Sequence, residues 1–269
     1  MRFIDIKLLT KVIEADADGA KICSTLHRAH KSTAVKYAGD RQGYIDRNGS
    51  AKWRPLKARF TAITGRKCWY TEAELTGGDL VIDHYRPKAA YWFLAFDEYN
   101  YRVACPYANS PHHNEEYGCA GGKGDEFPLL DPRAKAKGRN GIKLERPMLL
   151  DPCNEADCKL VVFQTDGRPV LHPDHLNDAI AKRRVEKSKI LLNLDHPDFN
   201  SKREQLRRDI DRDVRSHENS AGDPAHQQDL RTKLTARISR TAPFSTAARQ
   251  YLGAHKHFEW VAKLLGQNM

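Results

Sequence analysis

The chain has 269 residues, 30% of them charged, with 45 Lys and Arg against 35 Asp and Glu and a formal net charge of +10. That length can bury a sizeable core as one large domain or two modest ones, and the basic excess favours a polyanionic partner, nucleic acid first. The start, Met1-Arg2-Phe3-Ile4-Asp5, lacks a secretory apolar core, no apolar run is long enough to span a bilayer, and the six cysteines show no framework spacing. A cytoplasmic protein with reduced thiols and no membrane contact is expected.

In chain order, residues 1–18 read as a short apolar start followed by an Asp- and Ala-rich loop. Ile22, Leu26, Ala29 and Val35 predict a helix over 21–37, with His27, His30 and Lys31 on its solvated basic face. Residues 39–49 read as a loop. Ser50 is placed to cap one helix carrying Trp53, Leu56, Phe60 and Ile63, which Gly65 would close. Lys67-Cys68-Trp69-Tyr70 and Leu80-Val81-Ile82 look strand-like around a Gly77-Gly78 turn. Pro87 opens a loop rich in aromatics, Tyr101-Arg102-Val103-Ala104 is a second strand, and a short helix is predicted from Asn109 onward.

Leu-Leu-Asp-Pro then occurs twice, at 129–132 and 149–152, each copy read as a strand end entering a turn, around a flexible basic loop at 133–146. Thr165-Asp166-Gly167-Arg168 predicts a hairpin, because Asp-Gly supplies the positive φ of a tight turn. His172-Pro173-Asp174-His175 reads as a surface turn. From about residue 176 the pattern is helical. Leu206, Ile210 and Val214 form one narrow stripe, Asp223-Pro224 opens a helix striped by Leu230, Leu234 and Ile238, and Ser245 is placed to cap the last helix. Such narrow stripes leave room for an accessory helical subdomain or for helices wrapped around the central segment.

The chemistry is concentrated where an acid and a histidine close the first central strand, at Asp83-His84-Tyr85-Arg86-Pro87-Lys88. Asn100 follows sixteen positions after His84, Asn109 nine later, and His113 four after that. Phosphodiester hydrolysis needs an activated water, a cation on the phosphate oxygens and fixed geometry. A neutral imidazole with a pKa of about 6.5 can take the water's proton, which suits His84 as general base. Asn100 can lock the loop by bonding main-chain groups around His84. Asn109 and His113, four apart, would project from one helix face toward one ion. Asp83 would join them if the strand bends, and that donor set suits Mg²⁺ or Mn²⁺ better than structural zinc. Arg86, Lys88 and Lys123 would meet phosphates.

Residues 53–153 resemble the HNH (ββα-metal) nucleases, in particular the branch found as the nuclease subunit of Septu-type anti-phage systems and as a retron-associated effector. The likeness rests on Trp53 with Leu56-Lys57 and Lys67-Cys68, then on Asp83 to Lys88, Tyr91-Trp92, Asn100, Cys105-Pro106 and Asn109. It continues in Lys123-Gly124, Phe127-Pro128, Glu145-Arg146-Pro147, Leu149-Leu150-Asp151-Pro152, Pro243-Phe244-Ser245 and Tyr251-Leu252. The resemblance implies an α+β fold, with a central ββα-metal (HNH) module (67–173, including the following hairpin) embedded in a largely helical chain (1–66 and 174–269). It implies His84 as general base, Asn100 as the residue that orients the loop, Asp83 and Asn109 as ligands of a single divalent ion, and His113, or His112 if the helix phase differs by one, as an extra ligand. An endonuclease for nucleic acid, DNA ahead of RNA, acting with an ATPase subunit in defence against phage, is the expected function. For retron-associated members the partners would include a reverse transcriptase and its msDNA. Alternatives of the same fold are an RNase directed at tRNA and a non-catalytic nucleic-acid-binding subunit.

One departure stands out. Many relatives carry two Cys-x-x-Cys pairs for a structural zinc, whereas here the pairs read Cys68-Trp69-Tyr70-Thr71 and Cys105-Pro106-Tyr107-Ala108. Each lacks its second thiol, so a four-thiolate zinc site is not expected.

Overall fold

The computed structural model describes residues 1–74, 80–115 and 118–267, and its architecture is α+β. The predicted Gly77-Gly78 turn lies outside the described residues. The first 64 residues are more helical than their pattern suggested. Asp5 caps α1 (Ile6–Glu14) by accepting the Lys7 and Leu8 amides, and Ile6, Leu9 and Ile13 share its buried face. Asp16 caps α2 (Ala17–Ala34), so the expected loop before residue 21 is already helix. Asp40 likewise caps α3 (Arg41–Asn48), where a loop was expected. The helix expected from Ser50 is broken into α4 (Ser50–Trp53) and α5 (Leu56–Thr64). Pro55 cannot donate to the helical ladder, which accounts for the break; Gly65 ends α5 at φ +88° as expected.

The strands are short. Strand β1 (Val81–His84) pairs antiparallel with β2 (Tyr101–Ala104), placing Asp83 opposite Arg102 and His84 opposite Tyr101. Residues 67–70 are not a strand: the Cys68 carbonyl accepts from the Glu72 amide, closing a turn, and the Trp69 amide donates to the Val103 carbonyl. After β2 comes α6 (Pro106–Asn109), a single turn. It stops because Ser110 is extended ahead of Pro111, and the chain enters β3 (His112–Asn114), paired with β4 (Cys119–Gly121). The first Leu-Leu-Asp-Pro copy pairs with the segment just ahead of the second, through a bridge between Leu129 and Pro147. The 133–146 segment between them carries two short 3₁₀ turns. The hairpin forms as expected, with α7 (Glu155–Cys158) leading into β5 (Val161–Phe163) and β6 (Pro169–Leu171), and Gly167 at φ +84° in its turn.

Five helices complete the chain: α8 (Ala179–Leu191), α9 (Pro197–Asn219), α10 (Pro224–Ile238), α11 (Ser245–Gly253) and α12 (Glu259–Gln267). Asp223 caps α10 as expected, but the expected last helix is two, and Phe244 at φ +49°, rather than Ser245, precedes α11. One apolar cluster runs from Leu9 and Leu26 through Trp69, Val103 and Phe163 to Ile210, Leu252 and Val261, so the C-terminal helices share the core of the β1–β2 pair. Among the described residues no helix is long and apolar enough to cross a membrane.

A buried ionic knot ties the two halves. Glu72, at φ +59°, accepts from Lys67 Nζ at 3.1 Å, from Ser245 Oγ at 2.9 Å and from the Thr246 amide at 3.1 Å. Lys67 also donates to the Ala242 carbonyl, and the Phe244 amide donates to the Glu72 carbonyl. A left-handed glutamate costs roughly 1–3 kcal/mol and persists only where its surroundings fix it. Here four of these contacts bear on Glu72 directly and the fifth anchors its partner Lys67.

Candidate active site

His84 ends β1 with its side chain turned into the core, 7% exposed. Its ring meets Trp53 of α4 edge-on at 4.6 Å and Tyr101 of β2 at 5.0 Å between centroids. Nε2 lies 2.9 Å from the Ala95 carbonyl. A carbonyl only accepts, so Nε2 carries the hydrogen and Nδ1 is the nitrogen left to take a proton. The Ala95 carbonyl also accepts from the Tyr101 hydroxyl at 2.9 Å, which fixes its direction. Asn100 makes the bonds foreseen for it. Its Oδ1 accepts from the Arg86 amide and its Nδ2 donates to the Arg86 carbonyl, both at 2.9 Å, closing the 86–100 loop two residues after His84.

Asp83 is 4% exposed and fully engaged. Its Oδ2 accepts from the Tyr70 hydroxyl at 2.6 Å and its Oδ1 from Lys123 Nζ at 2.9 Å. Burial and the carboxylate raise the Tyr70 pKa well above its ordinary value, so the hydroxyl stays a donor. Lys123 also donates to the His84 carbonyl at 2.7 Å and, more weakly, to the Gly124 carbonyl at 3.3 Å.

This corrects the place of Lys123, expected at the surface as a phosphate contact. It is 1% exposed and paired inside the protein. Arg86 donates through Nε to Glu145 at 2.7 Å, with the Glu145 side chain fully buried, and Lys88 pairs with Asp46 at 2.6 Å near the surface. All three basic residues therefore have carboxylate partners.

The expected ligand pair Asn109 and His113 does not share a helix face. Asn109 is the last residue of α6, whereas His113 is exposed in β3, past the break at Ser110-Pro111. Asn109 keeps its neighbourhood through the backbone: its carbonyl accepts from the Gly124 amide at 2.8 Å, and that of Ala108 from the Lys123 amide at 2.9 Å. His112 pairs with Gly121 in the β3–β4 register. Among the described residues no three His, Cys, Asp or Glu side chains gather as a metal site would. The two half-motifs without second thiols do meet. Cys68 and Cys105 are buried, Thr71 Oγ1 lies 3.9 Å from Cys105 Sγ, and sharing a hydrogen with Cys68 together with burial pushes the Cys105 thiol up.

Tyr70, Trp53, Glu145 and the Ala95 carbonyl were missed by sequence reasoning as parts of this site. Only Trp53 and Glu145 carried a signal, as members of the family pattern.

Burial lowers the His84 pKa from 6.5 to about 4. Between those values the unfolded chain binds a proton that the folded chain refuses, so stability should fall as the pH drops through that window. The full loss is roughly 3 kcal/mol. Glu72 acts lower down: burial opposes its charge, but the N-terminal amine and Lys67 hold its carboxyl well below the usual range. Its contribution is present at neutral pH and lost only as the pH falls below the ordinary carboxylate pKa. Urea midpoints measured from pH 7 to 4.5 should thus decline in the wild type and decline less in His84→Asn. Equal slopes would contradict the burial argument.

Comparison with protein-family models and with curated proteins found no match.

Proposed function

We propose that the chain is an HNH (ββα-metal) endonuclease that hydrolyses phosphodiester bonds of nucleic acid, DNA in preference to RNA. The observation that carries this reading is the state of His84. It is a buried imidazole, with Nε2–H committed to the Ala95 carbonyl and Nδ1 left as the proton acceptor. A base of this kind is useful only if its orientation is held, and Asn100 closes the loop that carries Ala95. The antiparallel β1–β2 pair, the intervening loop and the α6 turn are the ββα part of the reading.

The family implies one Mg²⁺ or Mn²⁺, held by Asp83 and Asn109 with His113, whose chemistry would be to neutralise charge on the phosphate oxygens. As they stand, these residues do not fit an ion: both Asp83 oxygens are taken and His113 is on another element. In this reading the protein works with an ATPase subunit in anti-phage defence, with a retron reverse transcriptase and its msDNA as further partners.

The deciding experiment incubates the protein, alone and with the ATPase encoded beside it, with labelled duplex DNA and with total tRNA in Mg²⁺ or Mn²⁺. Cleavage of DNA with tRNA intact is expected. Cleavage of tRNA alone would make it an RNase, and no cleavage of either with the partner present would leave a non-catalytic binding subunit.

A further inference from the structure

The residue that occupies Asp83 is positioned by an unusual stretch of backbone. Lys123 stands between Gly122 at φ +91° and Gly124 at φ +49°. A Cβ on Gly122 would lie 1.9 Å from the Ser110 carbonyl oxygen, so only glycine fits that approach. Backbone bonds from the Lys123 and Gly124 amides to the Ala108 and Asn109 carbonyls fix the segment against α6. The ammonium thus arrives at the end of a rigid lead, and its three hydrogens meet the Asp83 carboxylate, the His84 carbonyl and the Gly124 carbonyl.

A carboxylate and a main-chain carbonyl oxygen are also what a hard divalent cation would seek. Buried at 1% and 4% exposure, the lysine and the aspartate form a closed pair that water does not screen. A second cation on Asp83 would have to stand beside the ammonium in the same low-dielectric space.

We propose that Lys123 is the resting occupant of the cation position at Asp83, so that a divalent ion and this ammonium exclude one another there. The proposal takes from the nuclease reading only the choice of Asp83 as the cation position. With the ammonium in place the carboxylate is closed to a divalent ion. Tyr70 completes the lock by holding the second carboxylate oxygen.

The test measures Mn²⁺ binding to the full chain by electron paramagnetic resonance, with no nucleic acid present, so its outcome is independent of whether the protein cleaves anything. Lys123→Met should bind Mn²⁺ about 100-fold more tightly than wild type, because the repelling charge is gone while the carboxylate stays. The double variant Lys123→Met with Asp83→Asn, which carries neither charge, should return to the wild-type value. Lys123→Arg, which keeps the cation, should stay there too. The proposal is overturned if wild type binds Mn²⁺ as tightly as Lys123→Met. Should Lys123→Met not fold, wild type against Asp83→Asn decides: equal weak binding supports the lock, and a loss of about tenfold or more in Asp83→Asn refutes it.

Discussion

Under the nuclease reading proposed above, replacing His84 with alanine should lower nucleic-acid cleavage by roughly 10²–10⁴-fold, the usual contribution of a positioned general base. The loss should appear in the rate at saturating substrate, because the imidazole is too buried to supply much binding energy to a polyanion. The ring also packs edge-on against Trp53 and Tyr101, so alanine loses contacts as well as a base. His84→Asn separates the two effects: it fills part of the space but cannot take the water's proton. Both variants should be equally inactive in a labelled-duplex assay, with His84→Asn closer to wild type in urea midpoint. A folded variant that kept more than a tenth of wild-type activity would remove His84 from the role of base.

The largest effect on stability is expected at Arg102, directly across the strand pair from Asp83. Its guanidinium donates to both oxygens of Asp151 at 2.7 Å, and its Nη1 donates to the Tyr99 and Tyr101 carbonyls. Removing one member of a buried pair leaves the other charge without its partner, which costs about 3–5 kcal/mol. Arg102→Leu should therefore unfold at much lower urea than wild type. In the double variant with Asp151→Leu no charge is stranded, and apolar replacements of buried pairs are often neutral. Most of the lost midpoint should return in that variant. A double variant as unstable as Arg102→Leu would show that the carbonyl contacts, rather than the ion pair, carry the stability.

The two central strands, the Asp166-Gly167 hairpin and the Asp223-Pro224 start of α10 were legible because each is encoded within a few residues. The α3 helix was missed because its signal is mainly its cap, Asp40, with few buried apolar residues, whereas α1 carried a helical stripe of Ile6, Leu9 and Ile13 that was read only as an apolar start. Cys68-Trp69-Tyr70 looked like a strand because it is apolar throughout. It is instead a turn sunk in the core, where burial rather than alternation sets composition. Pro111 did carry the warning that Asn109 and His113 could not share a helix, since a residue ahead of proline avoids helical geometry. The Asn100 clamp was readable from its place before β2. The partners of Asp83 were not, because Tyr70 and Lys123 reach it from 13 and 40 residues away and no local pattern encodes such a meeting.

The knot around Glu72 has a consequence for the order in which the protein is made. Ser245 lies 173 residues after Glu72, and at about 5–20 residues per second a ribosome needs roughly 10–30 s to cross that interval. During it, the turn bearing Tyr70 has Lys67 and the N-terminal amine, but not Ser245 or the Thr246 amide, to hold a buried carboxylate in a left-handed conformation. The Asp83-His84 motif is thus synthesised early but completed late, when residues 242–246 emerge and close over Glu72. A nascent chain, or one cut short before residue 242, carries the whole motif without the support that fixes Tyr70 against Asp83. Synthesis itself delays assembly of the site until residues 242–246 have been made.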